Sequence, residues 1–116
     1  MATASSIIES KDGTMLFEAP HGTAHDLYLK YLESDGKVAL FNSSALLYAL
    51  GNALAMLGER EDNQALVDYA QKIKQALLDT VAAGTITGDI KGKTSDPDNE
   101  NVVDMNGFLD AVAKRI

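Results

Sequence analysis

The sequence predicts an α+β chain, an N-terminal β-hairpin followed by three main helices. Three observations predict it. Two short β-type runs, Ser6-Ile7-Ile8-Glu9 and Thr14-Met15-Leu16-Phe17, flank an Asp12-Gly13 pair. Asp-Gly between such runs is a strong hairpin signal, because glycine supplies the positive φ that the turn requires. A long apolar stretch follows Asn42-Ser43-Ser44, and a second stretch places Leu66, Tyr69, Ala70, Ile73, Leu77 and Val81 at i, i+3 and i+4 spacing. That period is the mark of a helix with one buried face. At 116 residues the chain is long enough for one modest domain, residues 1–116, with its own core.

Each element has a local reason. A lone two-stranded hairpin is marginal in water, so this one needs a sheet or helices to lie on. After Phe17 the strand runs into a polar loop, Glu18-Ala19-Pro20-His21-Gly22-Thr23-Ala24-His25-Asp26. Pro20 stops the ladder by removing an amide donor. Gly22 permits a turn or a close approach to a ligand. His21, Thr23, His25 and Asp26 crowd hydrogen-bonding groups onto that turn, and loops at strand ends carry function more often than framework. Asp26 to Tyr31 suits one helical turn or irregular structure, and Ser34-Asp35-Gly36-Lys37 is a turn. Asn42-Ser43-Ser44 offers side-chain oxygens to cap a helix that runs to about Leu57, with Gly58 expected to end it. That helix is apolar on nearly every side, which predicts burial on more than one face.

The next helix, about Asn63 to Ala83, carries Asp68, Lys72, Gln75 and Asp79 on its outer face, and Gly84 terminates it. Tyr48 and Tyr69 fall on apolar faces and read as core. Thr85 to Ile90 is short and β-branched, suiting a brief extended piece. Gly92 to Asn101 has the composition of a loop. Asp104 or Asn106 caps a last helix carrying Phe108, Leu109, Val112 and Ile116.

Composition narrows the function. Hydrophobic content of 46% and charged content of 23% are those of a soluble globular protein. A net charge of -7 argues against nucleic acid or an anionic membrane as partner. The chain has no cysteine, which excludes thiolate chemistry and disulfides. No apolar run approaches the roughly 20 residues of a membrane span. Met1 to Ser6 lacks the basic and apolar regions of a signal peptide, so a cytoplasmic location is expected. His21 and His25 are four apart, but Pro20 and Gly22 argue against the helix that zinc binding would need, and no metal site is expected. Asp96, Asp98 and Glu100 alternate without the glycine and glutamate of a calcium loop, so a solvated acidic loop is expected. There is no phosphate loop, nucleophile elbow or basic aromatic patch.

Glu18-Ala19-Pro20-His21-Gly22-Thr23-Ala24 resembles the cofactor loop of the isocitrate and isopropylmalate dehydrogenases, Glu-x-x-His-Gly-Thr/Ser-Ala/Val. The hairpin from Ser6 to Phe17 sits where that family has one, and Asn42 is placed like the asparagine that opens its long apolar helix. Asp79 to Ile90, Asp-Thr-Val-Ala-Ala-Gly-Thr-Ile-Thr-Gly-Asp-Ile, is similar to a segment of the eukaryotic-type NADP-dependent isocitrate dehydrogenases. The resemblance runs from about Ser5 to Ile116 and weakens after Gly92.

It implies the C-terminal segment of that family's α/β fold and a set of cofactor-binding residues. His21 would stack or bond near the adenine. Gly22, Thr23 and Ala24 would let backbone approach the cofactor phosphate and ribose. Asn42 would read the adenine edge with Asp89 close by, and Glu18 would sit nearer the nicotinamide. His25, Asp26 and Leu27 complete the loop. The NADP-dependent enzymes carry Arg-His where this chain has Asp26 and Leu27. A carboxylate repels a 2′-phosphate and accepts bonds from free ribose hydroxyls, so the resemblance implies NAD rather than NADP.

The arginines that hold the tricarboxylate, the catalytic tyrosine and lysine, and the aspartates that bind Mg or Mn in the full-length family have no counterpart here. The expected function is therefore a cofactor-loop segment of an isocitrate dehydrogenase-like oxidoreductase, catalytically incomplete alone and with no catalytic residue of its own. A partner chain would supply the missing half, and uncovered apolar surface predicts a homo-oligomer. The competing expectation is a non-catalytic nucleotide-binding or protein-interaction module derived from that family.

Overall fold

The structure is a computed structural model that describes residues 6–19 and 24–116. In chain order the elements are β1 (Ser6–Glu9), β2 (Met15–Glu18), α1 (His25–Glu33), α2 (Ser44–Arg60), α3 (Gln64–Ala82), β3 (Thr85–Thr87), two 3-10 turns (Gly88–Ile90 and Pro97–Asn99), β4 (Asn101–Val103) and α4 (Met105–Ala113). The hairpin and the helices after it match the expected α+β order. Among the described residues the helices number four, because α1 runs for nine residues where one turn or irregular chain was expected. The chain divides into two units, Met1–His21 with Ser44–Leu77 and Gly22–Ser43 with Leu78–Ile116.

In the first unit the hairpin pairs antiparallel, with Ile7 opposite Phe17 and Ile8 opposite Leu16. Gly13 takes φ +84°, as the Asp-Gly turn requires. Ser10 Oγ and the Thr14 amide both donate to the Asp12 carboxylate. Those two bonds, the Ser10 one foremost, lower its pKa from 3.8 to about 2. Arg60 at the end of α2 donates to the Gly13 carbonyl at 2.8 Å, tying the turn to the helix on which β2 rests.

Gly58 does not end α2. The helix continues through it to Arg60, and Gly58 is buried. A Cβ there would stand 2.8 Å from Val67 Cγ2, 2.9 Å from Val67 N and 3.0 Å from Asn63 O. The glycine is present because α2 and α3 meet with no room for a side chain, not because the helix stops. The reversal comes after it, where Asp62 takes φ 51° and Asn63 N bonds to Gly58 O at 2.8 Å. Asn63 Oδ1 then caps α3 through the Leu66 amide at 3.1 Å.

Helix α2 is buried or half-buried around most of its circumference, as expected, and leaves one exposed stripe. Its buried residues are the small ones, Ser44, Ala49, Gly51, Ala55 and Gly58. Leu46 is 64% exposed, and Leu50 and Leu57 are each 47% exposed. Helix α3 keeps its expected polarity, with Ala70, Ile73 and Leu77 buried and Asp68, Lys72, Gln75 and Asp79 outside. Tyr69, expected in the core, is instead exposed. Tyr48 is half-buried, with Lys74 Nζ 5.6 Å from its ring centroid.

In the second unit Gly84 leaves α3 at φ +83°, and its carbonyl accepts from the Asn101 amide at 2.8 Å. That bond opens a parallel ladder in which Thr85, Ile86 and Thr87 pair with Asn101, Val102 and Val103. The end of the expected loop is therefore a strand. Asp104 caps α4 through the Gly107 amide at 2.8 Å. Phe108 and Val112 of α4 and Ile86 of β3 are buried where these elements pack.

Candidate functional site

The sequence-predicted residues fall into three groups. His21, Gly22 and Thr23 lie outside the described residues. Glu18 ends β2 in the first unit, where it accepts from Ser6 Oγ at 2.6 Å across the hairpin. Ala24, His25, Asp26, Leu27, Asn42 and Asp89 all belong to the second unit.

Ala24 stands at the N-cap of α1, and its carbonyl accepts from the Tyr28 amide at 2.9 Å. Alanine has no side-chain acceptor for the first helical amides. Asp26 lies in the first turn, where a carboxylate faces the positive end of the helix dipole. His25 and Asp26 are exposed and Leu27 is half-buried. Beyond it Tyr28, Leu29, Tyr31 and Leu32 are all exposed.

Asn42 and Asp89 are brought together across 47 residues of chain. Asn42 Nδ2 donates to Asp89 Oδ2 at 2.8 Å. Asp89 lies in the 3-10 turn that leaves β3, and Asn42 lies in the extended chain before α2. Thr87, the last residue of β3, is 1% exposed, and its Oγ1 donates to Asp89 Oδ1 at 2.6 Å. Lys93 Nζ donates to the Asp89 backbone carbonyl at 2.9 Å. Both carboxylate oxygens are thus engaged and the turn that presents them is pinned. Thr87 carries no sequence signal of this role, because a threonine in a β-branched run reads only as strand. Lys93 reads only as loop.

Among the described residues no group of three or more histidines or carboxylates is placed to hold a metal ion. Glu100 is occupied inside its own loop, accepting from the Gly92 amide and from Thr94 Oγ1 at 2.6 Å. The Thr94 hydroxyl, then the Gly92 amide, hold its carboxyl below the ordinary glutamate value. Among the described residues no helix is long and apolar enough to cross a membrane.

The isocitrate/isopropylmalate dehydrogenase family model matches residues 1–112. The chain is 36% identical over 100 residues to the mitochondrial isocitrate dehydrogenase [NADP] of Candida tropicalis, covering 85% of this chain and 23% of that protein. It is 34% identical over 113 residues to the mitochondrial isocitrate dehydrogenase [NADP] of Saccharomyces cerevisiae, covering 96% and 26%. To the human mitochondrial enzyme of the same name it is 28% identical over 116 residues, covering 96% and 25%. The chain spans about a quarter of the length of the curated relatives it matches.

Proposed function

The chain belongs to the isocitrate/isopropylmalate dehydrogenase family, and we propose that residues 1–116 form a single domain that supplies the adenosine side of a nicotinamide dinucleotide site. The observation that carries this is the Asn42–Asp89 pair. Two residues that the resemblance places by the same adenine edge lie in hydrogen-bond contact. The side chains also fit the group. An amide offers both an acceptor and donors, the complement of the N6 donor and N1 acceptor on the adenine edge. In this reading Asn42 meets that edge with Asp89 close by, His21 stacks or bonds near the adenine, and Gly22, Thr23 and Ala24 supply the backbone nearest the phosphate and ribose. When bound, the dinucleotide accepts the hydride in the oxidative decarboxylation of isocitrate by the full-length family.

The same reading makes the chain catalytically incomplete. It contains the adenosine-side residues and no counterparts of the substrate arginines, the metal aspartates or the catalytic tyrosine and lysine. Another chain, or a further part of the same protein, would supply them, with Mg or Mn bound there. NAD is the proposed cofactor, because Asp26 would repel a 2′-phosphate. The printed cofactor of the relatives is NADP, so the cofactor is the sharpest point of the proposal. A cytoplasmic location completes the reading.

Titration of the chain with NAD and with NADP by calorimetry tests it. The expected result is binding of NAD and roughly tenfold or weaker binding of NADP, from one repulsive charge pair worth about 1.4 kcal/mol. NADP binding as tightly as NAD would overturn the cofactor assignment. Binding of neither would favour the second reading, a protein-interaction module, which the exposed Tyr28, Leu29, Leu32, Leu46 and Leu50 support. Isocitrate-dependent NADH production by the chain alone would overturn its incompleteness.

A further inference from the structure

We propose that Asn106 is a modification site, open to deamidation by its own backbone and held closed by the Asp104 cap, and that its conversion to isoaspartate releases α4 from the core. This stands independently of the dinucleotide reading above.

Of the asparagines in the chain, Asn106 alone precedes a glycine. Glycine is the neighbour that favours ring closure, because with no Cβ its amide nitrogen is open to approach and its backbone is free to turn. Packing explains the glycine. Gly107 lies in the first turn of α4, and an added Cβ would stand 3.1 Å from Val103 Cβ and 3.3 Å from Asp104 Oδ1. Asn106 itself is exposed, so water reaches its side chain. Close approach of α4 to the end of β4 thus places a reactive dipeptide at the surface.

The reaction uses only the chain and water. The Gly107 amide nitrogen attacks Asn106 Cγ. A bond forms between them, the Cγ–NH2 bond breaks, and the departing group takes the amide proton and leaves as ammonia. Water then opens the succinimide ring. Breaking the Cγ–N bond gives aspartate, and breaking the backbone C–N bond gives isoaspartate. Both products replace a neutral amide with a carboxylate.

Two features of the fold keep this closed. The ring needs Asn106 Cβ and the Gly107 nitrogen eclipsed about the Cα–C bond, and a helical ψ does not allow it. The nucleophile is also occupied, because the Gly107 amide donates to Asp104 Oδ1 at 2.8 Å. The same residue holds the next turn, its carbonyl accepting from the Phe108 amide at 3.0 Å. The Met105 amide donates to the Ala39 carbonyl at 2.8 Å, which anchors the start of the helix from outside it. Reaction therefore requires the first turn of α4 to open, and its rate follows the population of that opening.

The isoaspartate product cannot close again in the same way. It inserts the former Cβ into the main chain, so the bonds from Gly107 and Phe108 back to Asp104 lose their register. Those bonds begin the helix that carries Phe108, 0% exposed, and Val112, 2% exposed.

The test incubates the full chain in mildly alkaline buffer and follows the fragment containing Asn106 by mass spectrometry, as the gain on replacing NH2 by OH. Wild type, Asp104→Ala, Asp104→Ser and Asn106→Gln are compared, folded and in urea. In urea, wild type and Asp104→Ala are expected to convert at one rate. Folded, Asp104→Ala is expected to convert about fivefold faster than wild type, the effect of one lost cap on the opening. Asp104→Ser keeps an acceptor and should stay near the wild-type rate, and Asn106→Gln should not convert. Hydrogen exchange of the Gly107 amide in the wild type gives a readout that needs no variant. Its protection should agree within about threefold with the ratio of the urea to the folded conversion rates, since both need one opening. The isoaspartate form, separated by its added charge, is expected to unfold at a lower temperature than the unmodified chain. A protected Gly107 amide beside an Asn106 that converts as fast folded as in urea would overturn the gate. An Asn106 that stays intact in urea would overturn the site, and equal unfolding temperatures would overturn the release of α4.

Discussion

A methyl group at Gly84 would sit 2.5 Å from the carbonyl oxygen of Asn99, and the backbone there has φ +83°. Both facts oppose any side chain, and the carbonyl is part of the chain that leads into β4. Gly58 has an ordinary helical backbone but no room, with Val67 N at 2.9 Å and Asn63 O at 3.0 Å of an added Cβ. Gly51 has Lys74 Cγ at 2.7 Å, near the base of a side chain whose end is held by Asn52 and Tyr48, so the lysine must change rotamer to make room. Alanine substitutions should therefore fall in a definite order. Gly84→Ala should cost about 3 kcal/mol or more from strain and overlap together. Gly58→Ala should cost about 1–3 kcal/mol from overlap alone. Gly51→Ala should cost less than Gly58→Ala, about 0–2 kcal/mol, because a side chain rather than backbone must shift and the helix gains by losing a glycine. Urea unfolding of the three variants checks this, and a Gly58→Ala protein as stable as the wild type would contradict the close α2–α3 approach. Residue identity announced Gly13 and Gly84 correctly as turn and helix stop. It misled at Gly58, since a glycine that ends a helix and one that admits a neighbouring helix look the same in one dimension. The nearness of Asn42 and Asp89 was implied by resemblance alone, and the bond between them was not legible.

Capping is the clearest case at the scale of the element. Asp104 and Asn106 both have the side chain to begin α4. The structure selects Asp104, whose backbone is extended at ψ 179° and whose Oδ1 reaches the Gly107 amide at 2.8 Å. Asp104→Ala should destabilise the protein by about 1 kcal/mol, and Asn106→Ala by much less. Thermal unfolding distinguishes them, and a larger drop for Asn106→Ala would reverse the assignment. Helix α3 was legible nearly residue by residue, since 19 residues repeat one period. Strand β4 was not. It has three residues, begins at the last residue of the loop-forming stretch Gly92–Asn101, and pairs in parallel with a strand 16 positions away in register, Thr85 with Asn101. Parallel pairing leaves no local pattern, because its hydrogen bonds come from a distant segment. Helix α1 was half legible for a related reason. None of its residues is buried, so no burial period marks its length.

Over the whole molecule, apolar side chains remain in water on several elements. Ile8 and Leu16 face each other across the hairpin and are 52% and 56% exposed. Leu46, Leu50 and Leu57 form a stripe along α2, and Tyr28 and Leu32 one along α1. Surfaces of this kind mark interaction sites. We expect the chain to self-associate, and Leu46→Gln with Leu50→Gln to lower its apparent mass by light scattering across a dilution series. A wild-type chain that stays monomeric at high concentration would contradict this. The sequence by itself determined the hairpin turn at Asp12-Gly13, the two faces of α3, the stop at Gly84, and the family. All of these rest on dihedral preference, spacing or motif within a few positions of chain. Only the tertiary structure decided that Gly58 lies inside a helix, that small residues rather than leucines of α2 are fully buried, that β3 pairs with β4, and that Asn42 and Thr87 both bond to the Asp89 carboxylate. Those outcomes depend on which distant segment arrives at each residue, and a neighbour 47 positions away leaves no trace in the local pattern.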